Sequence, residues 1–338
     1  MAIKKIGAQT VRFQNPPSII STGTVVGPKE GEGPLRAYFD MILEDDLWGE
    51  ETWEKCESKM QQEAIKIAIN KGNLNQKDIE YMFGGDLLNQ IISSGFAARQ
   101  MGIPFFGLYG ACSTMTESLS LGAMTIDGGY ADKLVCVTSS HFSTAERQFR
   151  FPLELGNQRN LTAQWTATAS GAAILSSTGV GPFITHVTTG KISDPGIVDT
   201  SNMGAAMAPA AVDTIATHFQ DTGFSIDNYD LIITGDLGYV GKEIALDLLK
   251  KEGLDIENIY SDCGIEIFYQ EKQDVHAGAS GCGCSAVVFG GYLYNELING
   301  KFNKILLVST GALHSSTSAL QGESIPGIAH AVTISRDI

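Results

Sequence analysis

The feature that most constrains the fold is an internal repeat. Residues 81–100 start as a short apolar strand, break at Gly85-Asp86 and continue as an amphipathic helix. Residues 231–250 follow the same pattern, with the break at Gly235-Asp236. A helical pattern also precedes each segment, at 53–70 and at 205–220. A repeat of this length predicts that the fold contains two similar halves, each made of the same strands and helices.

A second pair of segments follows in the same order. Small-residue segments at 110–113 and 281–284 each open an apolar helix that leads into an apolar strand. The two strands are predicted at 133–140 and 304–311. Because the spacing between matching segments increases from 150 to 171 residues, the second half is predicted to carry an insertion of about twenty residues at 252–272.

Each half therefore has the pattern β-α-β-α-β, and the halves are predicted at residues 1–188 and 189–338. Apolar strands joined through helices predict sheets whose two faces are both covered by helices. Two such halves make an α/β protein with five layers, α/β/α/β/α. In this architecture, ligands are expected where strands end and helices begin.

Composition excludes several classes of protein. The net charge of −15 argues against nucleic-acid binding, which requires a basic face. The sequence contains no stretch of eighteen apolar residues, so no membrane span is predicted. The first twenty residues lack the pattern of a signal peptide. Six cysteines in 338 residues do not form a secreted disulfide framework, so a reducing, intracellular location is expected.

Three segments resemble thiolases and ketoacyl synthases. The segment at 110–140 places a Cys at the opening of a small-residue helix, followed by Gly-Asp and a strand. Residues 168–179 are similar to the Gly-Ala-rich return strand of that superfamily, and residues 276–281 to the His-containing glycine loop of thiolases. The resemblance implies a thiolase-like fold, with Cys112 at the position of the nucleophile.

Along nearly the whole chain, the sequence more closely resembles the stage V sporulation AD family of spore-forming bacteria. The segments that carry this resemblance are 27–40, 85–90, 106–118, 138–152, 203–215, 277–288 and 309–313. It implies binding of dipicolinic acid (pyridine-2,6-dicarboxylate), free or as its calcium chelate, for uptake into the developing spore, and a link to spore germination. It also implies membrane partners from the same operon, a homodimer and a place in the forespore or spore, peripheral to the inner membrane.

Cys112 has three interpretations. At a helix N-terminus its thiolate is stabilised and could carry an acyl group. It could instead be a small, inert packing residue. In the third interpretation, which the sporulation resemblance favours, the same helix end with Cys112 and Ser113 receives a ligand carboxylate.

The catalytic set of an acyltransferase is incomplete in this sequence. Such an enzyme needs His or Asn partners beside the thiol. Only His276 matches, whereas the other partner is replaced by Asp236, which cannot donate to an oxyanion while ionised. The C-terminal Cys loop of thiolases reads GALHSS at 311–316, without a Cys, and its His314 has no matching motif. The sequence therefore predicts a non-catalytic binder. The alternative is an acyl-CoA-dependent acyltransferase that uses Cys112 with His276.

Further candidates for ligand binding follow two strand ends. Hydroxyl and imidazole groups follow the strand at 133–140, and two Arg side chains offer bidentate cations. The strand that ends at Gly85 is followed by a carboxylate, which could ligate calcium or cap the next helix, and by two amides. These candidates are Ser139, Ser140, His141, Arg147, Arg150, Asp86, Asn89 and Gln90. For the two Arg residues, ordinary surface salt bridges are an equal alternative.

No cofactor or resident metal is predicted. Cys282-x-Cys284 is a weak metal motif without a second pair, and packing is the favoured interpretation. Calcium is expected only together with the dipicolinate ligand.

Overall fold

The structure, a computed structural model, describes residues 3–149 and 159–338. Its strands are β1 (Thr10–Arg12), β2 (Ser18–Val26), β3 (Met41–Ile42), β4 (Tyr81–Gly85), β5 (Phe105–Gly107), β6 (Lys133–Ser140), β7 (Trp165–Thr166), β8 (Ala169–Ser176), β9 (Phe183–Thr188), β10 (Leu231–Thr234), β11 (Tyr260–Asp262), β12 (Ala279–Ser280), β13 (Lys304–Ala312) and β14 (Gly327–Ser335). Its helices are α1 (Pro28–Gly31), α2 (Trp53–Lys71), α3 (Ile92–Met101), α4 (Thr114–Asp127), α5 (Phe142–Phe149), α6 (Met203–Thr222), α7 (Gly238–Lys251), α8 (Cys263–Glu266), α9 (Cys282–Val287), α10 (Tyr294–Ile298) and α11 (Ser316–Leu320). A π-helical segment (Val288–Leu293) joins α9 to α10.

The sheet topology repeats between the halves. The first half has the strand order β5-β4-β6-β8-β2, and the second has β11-β10-β13-β14-β9. In both, the three strands farthest from the junction are parallel and the other two are antiparallel to their neighbours. The two half-sheets join where Ser18 of β2 pairs with Phe183 of β9. Strand β1 also pairs with β9, and β7 pairs with β12 in a separate two-stranded sheet. This matching connectivity confirms the duplication that the sequence predicts.

Helices lie on both faces of each half-sheet. Helices α4 and α9 contact strands of both halves and form the central layer. Helices α2 and α3 cover the outer face of the first half, and α6 and α7 cover that of the second. The predicted α/β/α/β/α arrangement of a thiolase-like fold is therefore confirmed. Among the described helices, none combines the length and apolar content that crossing a bilayer requires.

Local sequence explains the element boundaries. Strands β6 and β13 are buried at every position after their first Lys, as expected for strands covered on both faces. Helix α2 begins where the Thr52 hydroxyl accepts a hydrogen bond from the Lys55 amide, and Asn202 caps α6 in the same way. Helices α6 and α7 can cross closely because Gly204 has no side chain. A Cβ at this position would lie only 2.6 Å from the Leu237 carbonyl oxygen.

The extra residues of the second half fall in two places. Strand β11 is the counterpart of β5 and lies inside the predicted insertion at 252–272. The connection before β11 is longer than that before β5, which agrees with the predicted start. Most of the added length follows β11, where a segment with α8 and β12 replaces the short turn between β5 and α4. Strand β9, which ends at residue 188, pairs with β14. The predicted boundary between the two halves at 188/189 stays a prediction.

Candidate functional site

The carboxyl ends of the parallel strands from both halves meet at the start of the two central helices. Contacts across the halves hold them there: the Thr138 hydroxyl donates to the Cys282 carbonyl oxygen at 2.9 Å, and the Cys282 thiol donates to the Ser139 carbonyl oxygen at 2.9 Å. This is the edge at which the fold is expected to hold ligands.

Cys112 lies in a tight turn before α4. Ala111 has a φ of +50°, an uncommon value for a residue with a side chain, and it turns the chain sharply before the sulfur. Gly311, at the end of β13, packs against this turn, since a Cβ there would come within 2.2 Å of the Gly110 carbonyl oxygen. The Cys112 side chain is buried, and its sulfur lies 3.8 Å from the Ser280 hydroxyl oxygen.

Asp236 faces the same sulfur from the second half. Its carboxylate accepts hydrogen bonds from the Ser280 hydroxyl at 2.9 Å, the Gly281 amide at 2.9 Å and the Thr310 hydroxyl at 2.7 Å. The Cys112 sulfur lies 3.8 Å from the Ser280 hydroxyl that donates to this carboxylate. Burial raises the pKa of Asp236, and the hydrogen bonds from its neighbours offset this rise only in part. The three donors favour the ionised carboxylate, whereas burial opposes it.

The environment of Cys112 favours the neutral thiol. Burial raises the pKa of Cys112 well above its ordinary value, and the neighbouring Asp236 charge raises it further. The helix end predicted to favour a thiolate therefore faces an opposing charge. A nucleophilic cysteine needs the thiolate, which this arrangement disfavours.

Asp86 occupies in the first half the position of Asp236 in the second. Its carboxylate accepts from the Leu88 amide at 2.8 Å, and from the Ser94 amide and hydroxyl at 2.7 and 2.6 Å. Burial raises the pKa of Asp86, and the bonds from Ser94 and Leu88 lower it. These contacts fit the interpretation in which Asp86 holds the turn before α3. Ser113, similarly, donates its hydroxyl to the Gly110 carbonyl oxygen at 2.7 Å.

Ser139 belongs to a buried network that sequence reasoning missed. Its hydroxyl donates to Glu57 at 2.9 Å and accepts from the Gln61 amide at 2.7 Å. Glu57 also accepts from the Thr144 hydroxyl at 2.9 Å. Burial, followed by the charge of Asp86, raises the pKa of Glu57 to about 8. The signal in the sequence is a Glu and a Gln on the face of α2 that also carries Cys56 and Met60, so the network could have been found.

Ser140 and His141 are engaged within the protein. The Ser140 hydroxyl donates to the Ala167 carbonyl oxygen at 2.7 Å, and the His141 Nε2 lies 2.8 Å from the Asp46 carbonyl oxygen. Burial lowers the pKa of His141 and favours the neutral ring. Both side chains are buried, so they support the walls of the site.

The structure places Arg147 and His276 away from the sulfur. Arg147 pairs with Glu54 and lies over the Trp53 ring, with its guanidinium carbon 5.5 Å from the ring centroid. His276 contacts the Asn160 carbonyl oxygen at 2.8 Å and Asp274 at 3.1 Å. These bonds hold the His276 ring in its own loop. Arg150 lies outside the described residues.

Ser280 is the residue of the glycine loop that reaches the Cys112 sulfur. Its hydroxyl lies between the sulfur and Asp236, where the resemblance to thiolases placed His276. Sequence reasoning did not select Ser280, because a Ser in a run of Gly and Ala has no distinct pattern.

Cys282 and Cys284, the two cysteines that follow Ser280, are buried. Cys282 donates to the Ser139 carbonyl oxygen, and the Cys284 sulfur lies 3.7 Å from the Gly235 carbonyl oxygen. Burial raises the pKa of both thiols well above the ordinary value. Within the described residues no group of three or more His, Cys, Asp or Glu side chains is placed to hold a metal.

An open cleft of about 360 Å³ lies beside this buried group. It is lined by Leu88, Asn89, Gln90, Ile91, Tyr109, Leu313, His314 and Ser315. Gln90 and Ile91 have φ values of +57° and +47°, so one wall is an irregular turn that exposes two amides. Sequence reasoning found Asn89 and Gln90 but missed Tyr109 and the wall at 313–315. These come from separate segments that only the fold brings together.

The cleft and the sulfur are separated by an aromatic side chain. Phe149 packs against the cluster of Leu87, Cys112, Ala145 and Cys282. The Phe149 ring centroid is also 5.4 Å from that of His314 in the cleft wall. The space directly beside Ser280 is only about 20 Å³. That volume suits a single water molecule, so the space beside Ser280 is too small for a larger ligand, whereas the adjacent cleft has room for one.

His314 is the least satisfied polar side chain of the cleft. It is only 4% exposed, and neither ring nitrogen has a hydrogen-bond partner among the described residues. Burial lowers the pKa of His314, which favours the neutral ring. Tyr109 lines the cleft with it, and burial, followed by the Cys112 group, raises the pKa of Tyr109 to about 12.

Comparison with known proteins gives consistent matches. The model of the family described as stage V sporulation protein AD matches residues 7–335. The chain is 45% identical over 334 residues to stage V sporulation protein AD of Bacillus subtilis (strain 168). That alignment covers 99% of this chain and 98% of the relative.

Solved structures show the same fold at low identity. The 3-oxoacyl-[acyl-carrier-protein] synthase III of Aquifex aeolicus VF5 is 13% identical, with a TM-score of 0.57 and coverage of 94% of this chain and 99% of that chain. Cerulenin-bound OleA of Xanthomonas campestris is 14% identical, with a TM-score of 0.58 and coverage of 95% and 97%. At these identities, the similarity shows a thiolase-like fold and carries no statement about activity.

Proposed function

Because the chain belongs to the stage V sporulation protein AD family, we propose that it binds dipicolinic acid for uptake into the developing spore, without catalysing a reaction. The ligand is free pyridine-2,6-dicarboxylate or its calcium chelate. A role in sporulation follows from the family, whereas the ligand and the absence of catalysis are the proposal.

The single observation that carries the non-catalytic assignment is the buried Asp236 carboxylate, which Ser280 links to the Cys112 sulfur. A condensing enzyme requires an ionised or activated thiol beside groups that donate to an oxyanion. Here the neighbouring group is a buried carboxylate that accepts from Ser280, Gly281 and Thr310. The site thus stabilises the unreactive sulfur and offers a negative charge where an oxyanion would develop.

The cleft supports binding of a small aromatic dicarboxylate. Its volume of about 360 Å³ is within the range of small-molecule sites. Leu88, Ile91 and Leu313 offer apolar contact for a ring, and Asn89 and Gln90 carry amide donors. Tyr109 is protonated at neutral pH, as tyrosine ordinarily is, and burial raises its pKa further, so its hydroxyl can donate to a carboxylate.

The environment also supports entry of calcium with the ligand. Among the described residues that line the cleft, none is Lys or Arg. A dianion there lacks a fixed protein cation, whereas a calcium chelate of dipicolinate has no net charge. Calcium therefore belongs to the ligand in this proposal, and carboxylate, amide and hydroxyl oxygens are ligands that calcium accepts.

Homodimerisation and membrane partners complete the proposal. Strand β5 is an edge strand, and Phe106 and Tyr109 beside it are 52% and 45% exposed. An exposed edge with large apolar side chains suits pairing with a second copy. We expect the dimer to lie at the inner membrane of the forespore through membrane proteins of the same operon.

Isothermal titration tests the ligand. Wild-type protein is titrated with pyridine-2,6-dicarboxylate and with its 2,4-isomer, each with and without calcium. We expect saturable heat for the 2,6-isomer and at least tenfold weaker binding of the 2,4-isomer, because moving one carboxylate around the ring changes which donors it can reach. Equal or absent heats for both isomers would end the proposal.

A matched pair of variants tests the location. Asn89→Trp fills the cleft and is expected to abolish the heat. Asn299→Trp, at the exposed end of α10, makes the same change elsewhere and should leave the affinity unchanged. Loss of binding in both variants, or in neither, would show that the ligand does not occupy the cleft.

The thiolase-like fold leaves one rival, an acyltransferase that uses Cys112. The solved structures that share the fold include a 3-oxoacyl synthase. This rival predicts a covalent adduct on Cys112 after incubation with an acyl-CoA. We expect the intact mass of the protein to remain unchanged, and a mass increase mapped to Cys112 would favour the enzyme.

A further inference from the structure

The cleft is lined by a buried histidine whose ring nitrogens make no hydrogen bond with the described residues. His314 is 4% exposed, and neither of its ring nitrogens has a hydrogen-bond partner among the described residues. An unmet hydrogen bond of a buried polar group is costly, and such groups are normally paired in native proteins. The unpaired ring lines a cleft large enough for a small molecule, so the missing partner is expected to come from the ligand.

Among the described residues that line the cleft, Tyr109 is the other titratable side chain and none is Lys or Arg. Phe149, which contacts the His314 ring, is apolar. The Asp86 carboxylate accepts from the amide of Leu88, which lines the cleft, and adds a negative charge nearby. Within the described lining, a ligand with two negative charges therefore meets amides and hydroxyls but no fixed positive charge.

We propose that His314 takes up a proton when the free dicarboxylate binds, and so supplies the positive charge that the described lining of the cleft lacks. This inference rests on the proposed function of the same site. The neutral imidazole, the free dianion and one proton from solvent combine to give an imidazolium bonded to a ligand carboxylate.

The calcium chelate is expected to behave differently. Its net charge is zero, so it gives the imidazole little reason to become charged. The neutral ring then donates one N–H to a ligand oxygen, and no proton is taken up. The number of protons taken up on binding therefore distinguishes the two forms of the ligand at one site.

The burial of His314 supports this coupling. Burial lowers the pKa of the free ring, so the imidazole is neutral at pH 7 before the ligand arrives. A carboxylate within about 4 to 6 Å favours the charged ring and raises its pKa again. A histidine whose pKa moves across neutral pH on binding is a proton-linked ligand group.

Calorimetry in two buffers measures the proton directly. Binding of pyridine-2,6-dicarboxylate at pH 7 is measured in phosphate and in Tris, which differ in ionisation enthalpy, with and without calcium. We expect close to one proton per free ligand and close to none per chelate. Binding without buffer dependence in either form would overturn the inference but leave the proposed function intact. Absence of any binding heat would overturn both.

Variants assign the proton to this residue. His314→Gln keeps a donor but cannot be protonated, and we expect at least tenfold weaker binding of the free dianion with no proton uptake. His186→Gln is the matched control, since His186 lines a different cavity near Arg12 and Lys304. A His314→Gln protein that retains affinity and proton uptake would overturn the assignment. A side-chain nitrogen spectrum of the wild type with labelled histidine provides the same test without a substitution: one of its six rings should become charged on ligand addition.

Discussion

Replacing Asp236 with Asn tests whether the carboxylate holds Cys112 in its thiol form. The Ser280 hydroxyl is 2.9 Å from the carboxylate and 3.8 Å from the Cys112 sulfur. Carboxylate and sulfur are therefore no more than about 7 Å apart, and at an effective dielectric constant of about 20 the charge disfavours the thiolate by about 2 kcal/mol. Removal of the charge should increase the thiolate population roughly 30-fold.

Alkylation of Cys112 provides the readout. Wild type and Asp236→Asn are treated with iodoacetamide at pH 8, and the modified peptide that contains Cys112 is quantified by mass spectrometry. Only the thiolate reacts, so the rate should rise by the same factor of about 30. The variant also replaces a charged oxygen that accepts from the Gly281 amide. Its free energy of unfolding should therefore fall by about 1 to 3 kcal/mol, which thermal denaturation measures.

Asp86→Asn is the matched control. Asp86 lies at the equivalent strand end of the first half, and its carboxylate contacts Leu88 and Ser94. Its loss should change the Cys112 alkylation rate by less than about threefold, because it is not a direct neighbour of the sulfur. Equal rates in wild type and Asp236→Asn, or equal acceleration in both variants, would refute the electrostatic explanation.

Three further predictions concern stability. Gly311→Ala should lower the free energy of unfolding by about 1 to 3 kcal/mol, because the added Cβ would lie 2.2 Å from a backbone oxygen. Gly95→Ala in α3 is the comparison, since its Cβ would meet nothing within 4 Å and should be neutral or stabilising. Chemical denaturation measures both. Glu57 has a pKa of about 8 in the folded protein, against 4.5 for the ordinary group. Its contribution to the free energy of unfolding is therefore present at low pH and is lost as the pH rises from about 4.5 to about 8. Glu57→Gln should flatten the fall in melting temperature between about pH 5 and about pH 8. Arg147→Ala should change the free energy of unfolding by less than about 1 kcal/mol, because its pair with Glu54 is half exposed, and a larger loss in urea denaturation would contradict this.

The duplicated fold could be predicted because its signals are local. Strand β6 occupies the predicted segment 133–140, and α2 and α6 lie within two residues of their predicted bounds. Apolar runs and glycine breaks determine where such elements begin and end. The division of the insertion around β11 was missed because β11 is only three residues long, too short to leave a strand pattern.

The site was harder to predict because its contacts join distant segments. Asp236 was recognised as the substitute for a catalytic partner, yet its bonds to Ser280 and Thr310 depend on the meeting of two loops and a strand. The cleft wall of His314 and Tyr109 likewise joins residues about two hundred positions apart. A single sequence shows residue types at such positions, but it does not show which of them become neighbours.

A crystal structure of the protein with pyridine-2,6-dicarboxylate, with and without calcium, would show where the ligand binds. We expect the ligand between the turn at 89–91 and the wall at 313–315, with the Cys112 sulfur unmodified and still beside Ser280. A ligand held elsewhere, or a covalent bond to that sulfur, would contradict this expectation.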